Sequence, residues 1–304
     1  MKRRRFIRNT FLSVVGMGVG VGVYAKMIEP FWLEFVRRKM PVRNLPPALA
    51  GKTLMQISDI HVGNQFDYQF IIDSFIKARD YQPDIVVYTG DYVTYRTDQQ
   101  LKQLEEVMEK SAVKGKLGTV AILGNHDYGI NWVMPEVAEH IVRVFGWYDI
   151  PVLRNCGYDV AGLNFIGFDD YWGLNFRPHD AMRGYIADVP TIALCHNPDV
   201  CDMNVWNNYQ GWILSGHTHG GQFKPPFLDP PVLPVKNKRY SAGEIDLYDG
   251  RTLYINRALG NLHQMRFNVR PEITLFELEE DNSILHTALL RQGYGGQANP
   301  PTEA

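Results

Sequence analysis

The chain has 304 residues, 45% of them apolar and 21% charged, with a formal net charge of -2. That is enough apolar material for a core of enzyme size, and the near-neutral balance excludes general electrostatic binding of nucleic acid. Cys156, Cys195 and Cys201 form no Cys-x-x-Cys pair, and their odd number argues against a disulfide framework and for small packing residues.

The N-terminus begins Arg3-Arg4-Arg5-Phe6-Ile7-Arg8, followed by a glycine-rich, moderately apolar segment from Phe11 to Met27. This order resembles a twin-arginine export signal. About 17 residues is the short limit for spanning a bilayer, and Tyr24-Ala25-Lys26-Met27 offers no small-x-small cleavage site, so the segment is expected to remain as an anchor. Basic residues flank it on both sides, so charge does not fix its orientation. The protein is therefore expected at a membrane, on the periplasmic or extracytoplasmic face if exported and on the cytoplasmic face of the inner membrane otherwise. Phe31, Trp32 and Phe35, with the bases beside them, suit the membrane interface, which extends the expected contact over residues 9–39. Asn44-Leu45-Pro46-Pro47 reads as a stiff linker. Residues 1–49 are thus expected to be anchor and linker, 50–291 the folded domain, and 292–304, which lack an apolar period, a disordered tail.

From residue 50 strand and helix patterns alternate. The run 53–58 predicts a strand, 67–80 a helix with Phe70, Ile71, Ser74, Phe75 and Ala78 on one side, 85–88 a strand, 99–110 a helix carrying Leu101, Leu104, Val107 and Met108, and 120–123 a strand. Alternation of this kind predicts an α/β core. The second half is richer in strand signals, at 164–168, 191–194, 212–215, 252–255, 273–278 and 284–285.

The apolar runs end in metal-ligand residue types. Asp59 and His61 follow the first, Gly90-Asp91 the second and Gly124-Asn125-His126-Asp127 the third; Cys195-His196 and Gly216-His217-Thr218-His219 close two later runs. Side chains two apart on a strand share a face, so Asp59 and His61 form a candidate pincer. In open α/β sheets ligands gather beyond the carboxyl ends of the strands, so five such clusters can converge on one cleft. Glycines before Asp91, Asn125 and His217 suit tight strand-to-loop turns. Carboxylates, imidazoles and an amide oxygen without thiolate suit divalent Mn, Fe or Zn.

The order Asp-x-His, Gly-Asp, Gly-Asn-His-Asp, a lone His and Gly-His-Thr-His resembles the calcineurin-like metallophosphoesterase superfamily over roughly residues 50–290. The resemblance implies a four-layer αββα sandwich of two mixed sheets flanked by helices, and two divalent metal ions. One ion would take Asp59, His61, Asp91 and His219, the other Asp91, Asn125, His196 and His217. His126 would approach the substrate without being a ligand. Asp91 would hold the two ions ~3.5–4 Å apart, where they share a hydroxide that attacks phosphorus. His126 could then protonate the leaving oxygen or stabilise the phosphorane charge, with Asp127 expected to orient its ring or, alternatively, to cap the loop.

Protein phosphatases of the superfamily carry Asp-Arg-Gly after the second block and His-Glu in the third; Thr94-Tyr95-Arg96 and His126-Asp127 stand here, which disfavours that activity. Residues 28–34, His219-Gly220-Gly221-Gln222 and Asn256-Arg257-Ala258-Leu259-Gly260 look like a bacterial subgroup of membrane-associated phosphoesterases, some of them UDP-2,3-diacylglucosamine diphosphatases. Ala258 departs from the glycine usual there. Arg257 is a candidate phosphate contact as a fork donor, with an ion pair as the alternative. The expectation is a hydrolase of phosphodiester or diphosphate bonds in a phosphorylated small-molecule or lipid-linked substrate, with no nucleic acid and no obligate protein partner. The alternatives are a broad-specificity phosphodiesterase or phosphatase and a metal-bound scaffold without turnover.

Overall fold

The structure, a computed structural model, describes residues 2–63 and 67–281. The expected strand at 284–285 and the tail from 292 lie outside the described residues. In chain order the helices are α1 (Lys2–Val23), α2 (Gln69–Arg79), α3 (Asp98–Ser111), α4 (Pro135–Gly146) and α5 (Pro178–Met182). The strands are β1 (Glu34–Val42), β2 (Thr53–Ile57), β3 (Ile85–Thr89), β4 (Gly118–Ile122), β5 (Cys156–Val160), β6 (Leu163–Gly167), β7 (Thr191–Leu194), β8 (Gly211–Ser215), β9 (Gly243–Asp246), β10 (Arg251–Ile255) and β11 (Glu272–Glu280).

Among the described residues two mixed sheets form, in the orders β1-β11-β2-β3-β4 and β5-β6-β7-β8-β10-β9. β3 shows why they stack. It is buried along its whole length, and because side chains alternate, Val86 and Tyr88 face the helices while Ile85 and Val87 face the other sheet. The helix-side core packs Phe75 of α2, Leu104 and Met108 of α3, and Ile141 and Phe145 of α4 on the first sheet. A second core between the sheets joins Leu54, Val87 and Ile122 to Phe165, Leu194, Leu214 and Tyr254. A third covers the far side of the second sheet with Met182 of α5 and Trp206. The result is the expected αββα sandwich.

Residues 34–42, expected to fall within the anchor and linker of 1–49, form a strand. β1 pairs in parallel with β11 from Glu34↔Glu272 to Val42↔Glu280, so the folded body includes chain well before residue 50. Its basic triplet, Arg37, Arg38 and Lys39, is exposed, as an edge strand requires of residues that must not invite further pairing, and Pro41 is tolerated at such an edge. Phe31 and Phe35 are likewise turned onto the protein, against Phe70 and Tyr81 at ring separations of 5.5 and 4.4 Å.

β2, β3 and β4 run parallel, as do β6, β7, β8 and β10. Their carboxyl ends therefore open on the same edge of each sheet. Buried Gln56 ties the two edges together, its Nε2 donating to Thr89 Oγ1 at 3.1 Å in its own sheet and to the Ser215 carbonyl at 3.0 Å in the other.

Candidate metal centre

The ligand-type residues lie just beyond those strand ends. β2 stops at Ile57, so Asp59 and His61 are not alternate residues of a strand. They converge because both adopt left-handed backbone, φ 52° and 46°, as do Asp91 (57°), His217 (72°) and His219 (52°). This conformation costs a non-glycine residue of the order of 1–2 kcal/mol, and its concentration at one spot marks strain held by the surroundings for a functional purpose. The holding contacts are backbone bonds: Asp59 N–H donates to Gly90 O at 2.9 Å, His61 N–H to Asp91 O at 3.1 Å, and Gly260 N–H to Asp59 O at 2.8 Å.

Asp59, His61, Asp91 and His219 bring one ligand atom each within 4.8 Å of one another, and Asp91, His196 and His217 form a second such group. Asp91 belongs to both. Its Oδ2 lies 3.1 Å from His196 Nε2 and 3.6 Å from His61 Nε2. The rings are oriented from behind, since His61 Nδ1 meets Thr94 Oγ1 at 3.0 Å, His196 Nδ1 meets the Thr89 carbonyl at 2.7 Å and His217 Nε2 meets the Pro234 carbonyl at 3.0 Å. Each bond fixes which nitrogen is left for an ion: Nε2 of His61 and His196, Nδ1 of His217.

Several polar atoms in the cleft are buried with no hydrogen-bond partner, namely both amide atoms of Asn125 and His219 Nδ1. Buried polar groups are ordinarily satisfied, and an oxygen-and-nitrogen set left open in this way fits divalent cations. The electrostatics agree. Burial pushes the Asp59 carboxyl up, but the His196 and His219 rings outweigh it and hold the group at about 2. Burial keeps His61 well below the usual imidazole value and His217 at about 3, so both offer lone pairs. His196 goes the other way: burial is outweighed by the Asp91 and Asp59 carboxylates, which favour positive charge at this point.

The glycines of two ligand blocks serve close approach rather than turning. A Cβ on Gly216 would stand 2.1 Å from Asp59 Oδ2 and 2.1 Å from Ser58 Oγ. Its absence lets the His217 N–H reach the Asp59 carboxylate across the sheets, at 3.0 Å to Oδ1. Gly124 likewise leaves room for Asp91 Oδ1, 2.3 Å from where its Cβ would be. Gly216→Ala is expected to destabilise the chain by about 1–3 kcal/mol and to release metal on dialysis, read by thermal unfolding and metal analysis.

Two expected roles are corrected. Asp127 does not orient His126. Its carboxylate is buried and accepts from the N–H groups of Gly124, Asp91 and Tyr92 at 2.8, 2.9 and 2.7 Å, which fastens the loops after β3 and β4 to each other. Arg257 is not a free phosphate donor either, because its guanidinium is paired with Glu272 and, at 3.0 Å, with Glu34. Its neighbour Ala258, in the place of the usual glycine, keeps a left-handed φ of 69°, so that loop retains its turn.

His126 lies at the cleft and belongs to neither ligand group among the described residues. Its N–H donates to Asp91 Oδ1 at 2.8 Å, and its ring stands edge-on to His61 at 5.1 Å on the half-buried rim of the cleft.

Three features escaped the sequence reading. Thr94, which orients His61, stands in an unremarkable loop. Trp132 and Trp172 stack at 4.9 Å, Trp132 facing His126 at 6.4 Å and Trp172 facing His217 at 4.5 Å, which makes an aromatic wall beside the cleft. The third is Asp169-Asp170 after β6, a strand-end pair that the rule used for the other strands would have found. Asp169 accepts from Arg154 Nε at 2.8 Å. Asp170 is buried, takes Trp172 and Gly173 N–H groups on Oδ1 and leaves Oδ2 unpartnered.

Burial raises the Asp170 carboxyl to about 7, with the Asp91 charge adding to it against the pull of His196. The folded chain thus holds this proton to about pH 7 and the unfolded chain only to about 4. Stability from this group is full below pH ~4 and is lost as pH rises toward 7. Asp170→Asn is therefore expected to stabilise the metal-stripped protein by roughly 2–4 kcal/mol at pH 8 and by little at pH 4, measured as unfolding midpoints across that range.

Comparison with known proteins agrees with this geometry. Residues 52–221 match the calcineurin-like phosphoesterase family, and the chain belongs to it. It is 29% identical over 284 residues to the phosphodiesterase YaeI of Escherichia coli, covering 91% of this chain and 99% of that protein. It is 26% identical over 323 residues to the UDP-2,3-diacylglucosamine pyrophosphatase LpxG of Chlamydia trachomatis, covering 88% and 96%. A transmembrane protein with metallophosphoesterase domain from Danio rerio is 28% identical over 296 residues, covering 90% of this chain and 63% of that protein. The chain is a hydrolase acting on phosphoester bonds with a candidate dinuclear metal site.

Proposed function

We propose that this member of the calcineurin-like phosphoesterase family hydrolyses a phosphodiester or diphosphate bond in a lipid-linked or cell-envelope substrate. In this reading Asp59, His61, Asp91 and His219 hold one divalent ion and Asp91, Asn125, His196 and His217 the other, Mn, Fe or Zn. The observation that carries the reading is the Asp91 carboxylate, whose Oδ2 sits within reach of His196 on one side and His61 on the other. When bound, the ion pair supplies charge toward the phosphoryl oxygens and lowers the pKa of water toward neutrality.

The remaining work falls to the chain. The Asp91 side chain holds the His126 backbone through Oδ1, so the ring at the rim is fixed relative to the ligands and can give a proton to the leaving oxygen. The Trp132–Trp172 wall offers a flat apolar surface for the part of the substrate beyond the phosphate. The helical segment Arg3–Phe31, 29 residues near the N-terminus, is long and apolar enough to cross a bilayer and supports a membrane-embedded substrate. Similarity to a protein named for acting on UDP-2,3-diacylglucosamine supports a diphosphate of that kind. The twin-arginine-like order of the first residues supports export, which a compartment reporter fused to the C-terminus would test.

The activity test uses the purified full chain in detergent with Mn²⁺. Turnover of bis-p-nitrophenyl phosphate or of a lipid-linked diphosphate, exceeding that of p-nitrophenyl phosphate, is the expected result. Inertness toward both diester and lipid-linked diphosphate overturns the reading.

A further inference from the structure

The loop that follows His219 carries an apolar tip with no packing role. Phe227, Leu228 and Val232 are exposed, Phe227 as fully as a free side chain. Phe227 also has a left-handed φ of 66°, rare for a bulky residue, so the chain bears backbone strain to hold an aromatic ring in the open. Prolines at 225, 226, 230, 231 and 234 stiffen the loop, and Leu228 N–H closes a turn on Pro225 O at 3.2 Å.

The base of this loop is joined to the end of the apolar N-terminal helix. Lys224 N–H donates to Phe267 O at 2.8 Å, and Phe267 N–H to Gln222 O at 2.9 Å. The Phe267 ring stacks on Phe223 at 5.4 Å and meets Tyr24, the residue after α1, edge-on at 6.3 Å. Arg266 N–H donates to Ala25 O at 2.8 Å, and Gln264 Nε2 to Lys26 O at 3.0 Å. The point where a membrane helix leaves the bilayer and the Phe227 tip are therefore parts of one braced unit. That unit also exposes Met27, Ile28 and Met265. Lys26 and Lys224 stand exposed at its base, where cations meet lipid headgroups, and Asp229 is the one acidic side chain in the 224–232 stretch.

We propose that the tip around Phe227 and Leu228 inserts into the lipid interface as a second membrane contact beside α1. The occupant is the bilayer itself, argued from continuity with the anchor helix. The consequence concerns the metal centre: the loop begins three residues after His219 and returns to give the Pro234 carbonyl to His217 Nε2. A tip seated among headgroups brings the ligand-bearing end of the sandwich down to the membrane surface. A lipid-linked phosphate then reaches the cleft without leaving the bilayer. This deepens the proposed function and rests on α1 being a membrane anchor.

The test uses the full chain in vesicles of phosphatidylethanolamine and phosphatidylglycerol containing lipids spin-labelled high on the acyl chain. In a Cys156→Ser background, which removes the exposed thiol, an environment-sensitive fluorophore is placed by Gly18→Cys in the helix, Phe227→Cys at the tip, or Tyr248→Cys. Tyr248 is exposed in the turn before β10, at the sheet end opposite the ligands. Quenching at 18 and 227 but not at 248 is expected. Quenching at 18 alone overturns the loop contact and leaves the anchor standing, whereas no quenching at 18 or 227 overturns both. Equal quenching at 227 and 248 overturns a specific contact. As a separate readout, Phe227→Ser/Leu228→Ser is expected to keep its rate on soluble bis-p-nitrophenyl phosphate and to lose about tenfold on a vesicle-embedded diphosphate, the loss of roughly two buried apolar groups being ample for this. Equal rates on the embedded substrate count against the proposal, and absence of turnover on either substrate in the parent chain overturns the proposed function while the quenching result stands.

Discussion

Replacing Asp91 by Ala is expected to abolish turnover, by roughly 10³-fold or more, and to leave the protein unable to keep either ion. Among the described residues no other side chain belongs to both ligand groups. Its two oxygens have separate tasks: Oδ2 stands between His196 and His61, while Oδ1 accepts the His126 N–H. Removing the carboxylate therefore also loosens the loop that carries Asn125 and His126. His219→Ala is the comparison, since His219 belongs to one group only and is expected to lower the metal content from about two ions toward one. Metal analysis after dialysis and kcat on a diester substrate check both. Two retained ions in Asp91→Ala would remove the shared carboxylate from the mechanism.

Much of this site could be read from the sequence because strand ends are local signals. An apolar run that closes on Gly-Asp or His-x-His places those side chains at the edge of a parallel sheet, and the sheet supplies the convergence. What the sequence does not carry is how the ligands converge. Asp59 and His61 have the spacing of strand neighbours, yet the structure reaches the same meeting point by left-handed backbone past the end of β2, a state fixed by long-range bonds to Gly90, Asp91 and Gly260. Asp127 shows a related limit: adjacency to His126 suggests a partner, whereas its carboxylate turns inward to four backbone N–H groups, three of them from residues 91, 92 and 93.

At the level of the fold, the gaps fall on edges. β1, β5 and β9 have exposed or half-exposed faces, and polar or glycine residues interrupt their apolar ones, so their sequences lack the apolar runs that reveal central strands. β1 is the clearest case: its aromatic and basic residues suit a membrane interface, and its strand character comes from pairing with β11, more than two hundred residues away. α4 is different. Val137, Ala138, Ile141, Val144 and Phe145 have helical spacing after Pro135, and the pattern was there to be read.

His126→Ala is expected to lower kcat by about 10²–10⁴-fold while both ions remain bound. The ring is not in either ligand group, and the bond that ties this residue to Asp91 comes from its backbone N–H, which alanine retains. Metal content should therefore be unchanged, and this separates an enzyme from a metal-holding scaffold, in which the substitution would have no rate to remove. The size of the loss should depend on the leaving group. A general acid matters most when the departing oxygen is a poor leaving group, so an alkyl phosphodiester should suffer the full effect and bis-p-nitrophenyl phosphate, whose phenolate leaves without help, a much smaller one. If the ring instead only stabilises charge on the phosphoryl oxygens, both substrates should slow by the same factor. The ratio of the two losses thus assigns the proton, and a ratio near one would take the acid role away from His126 and leave it with charge stabilisation alone.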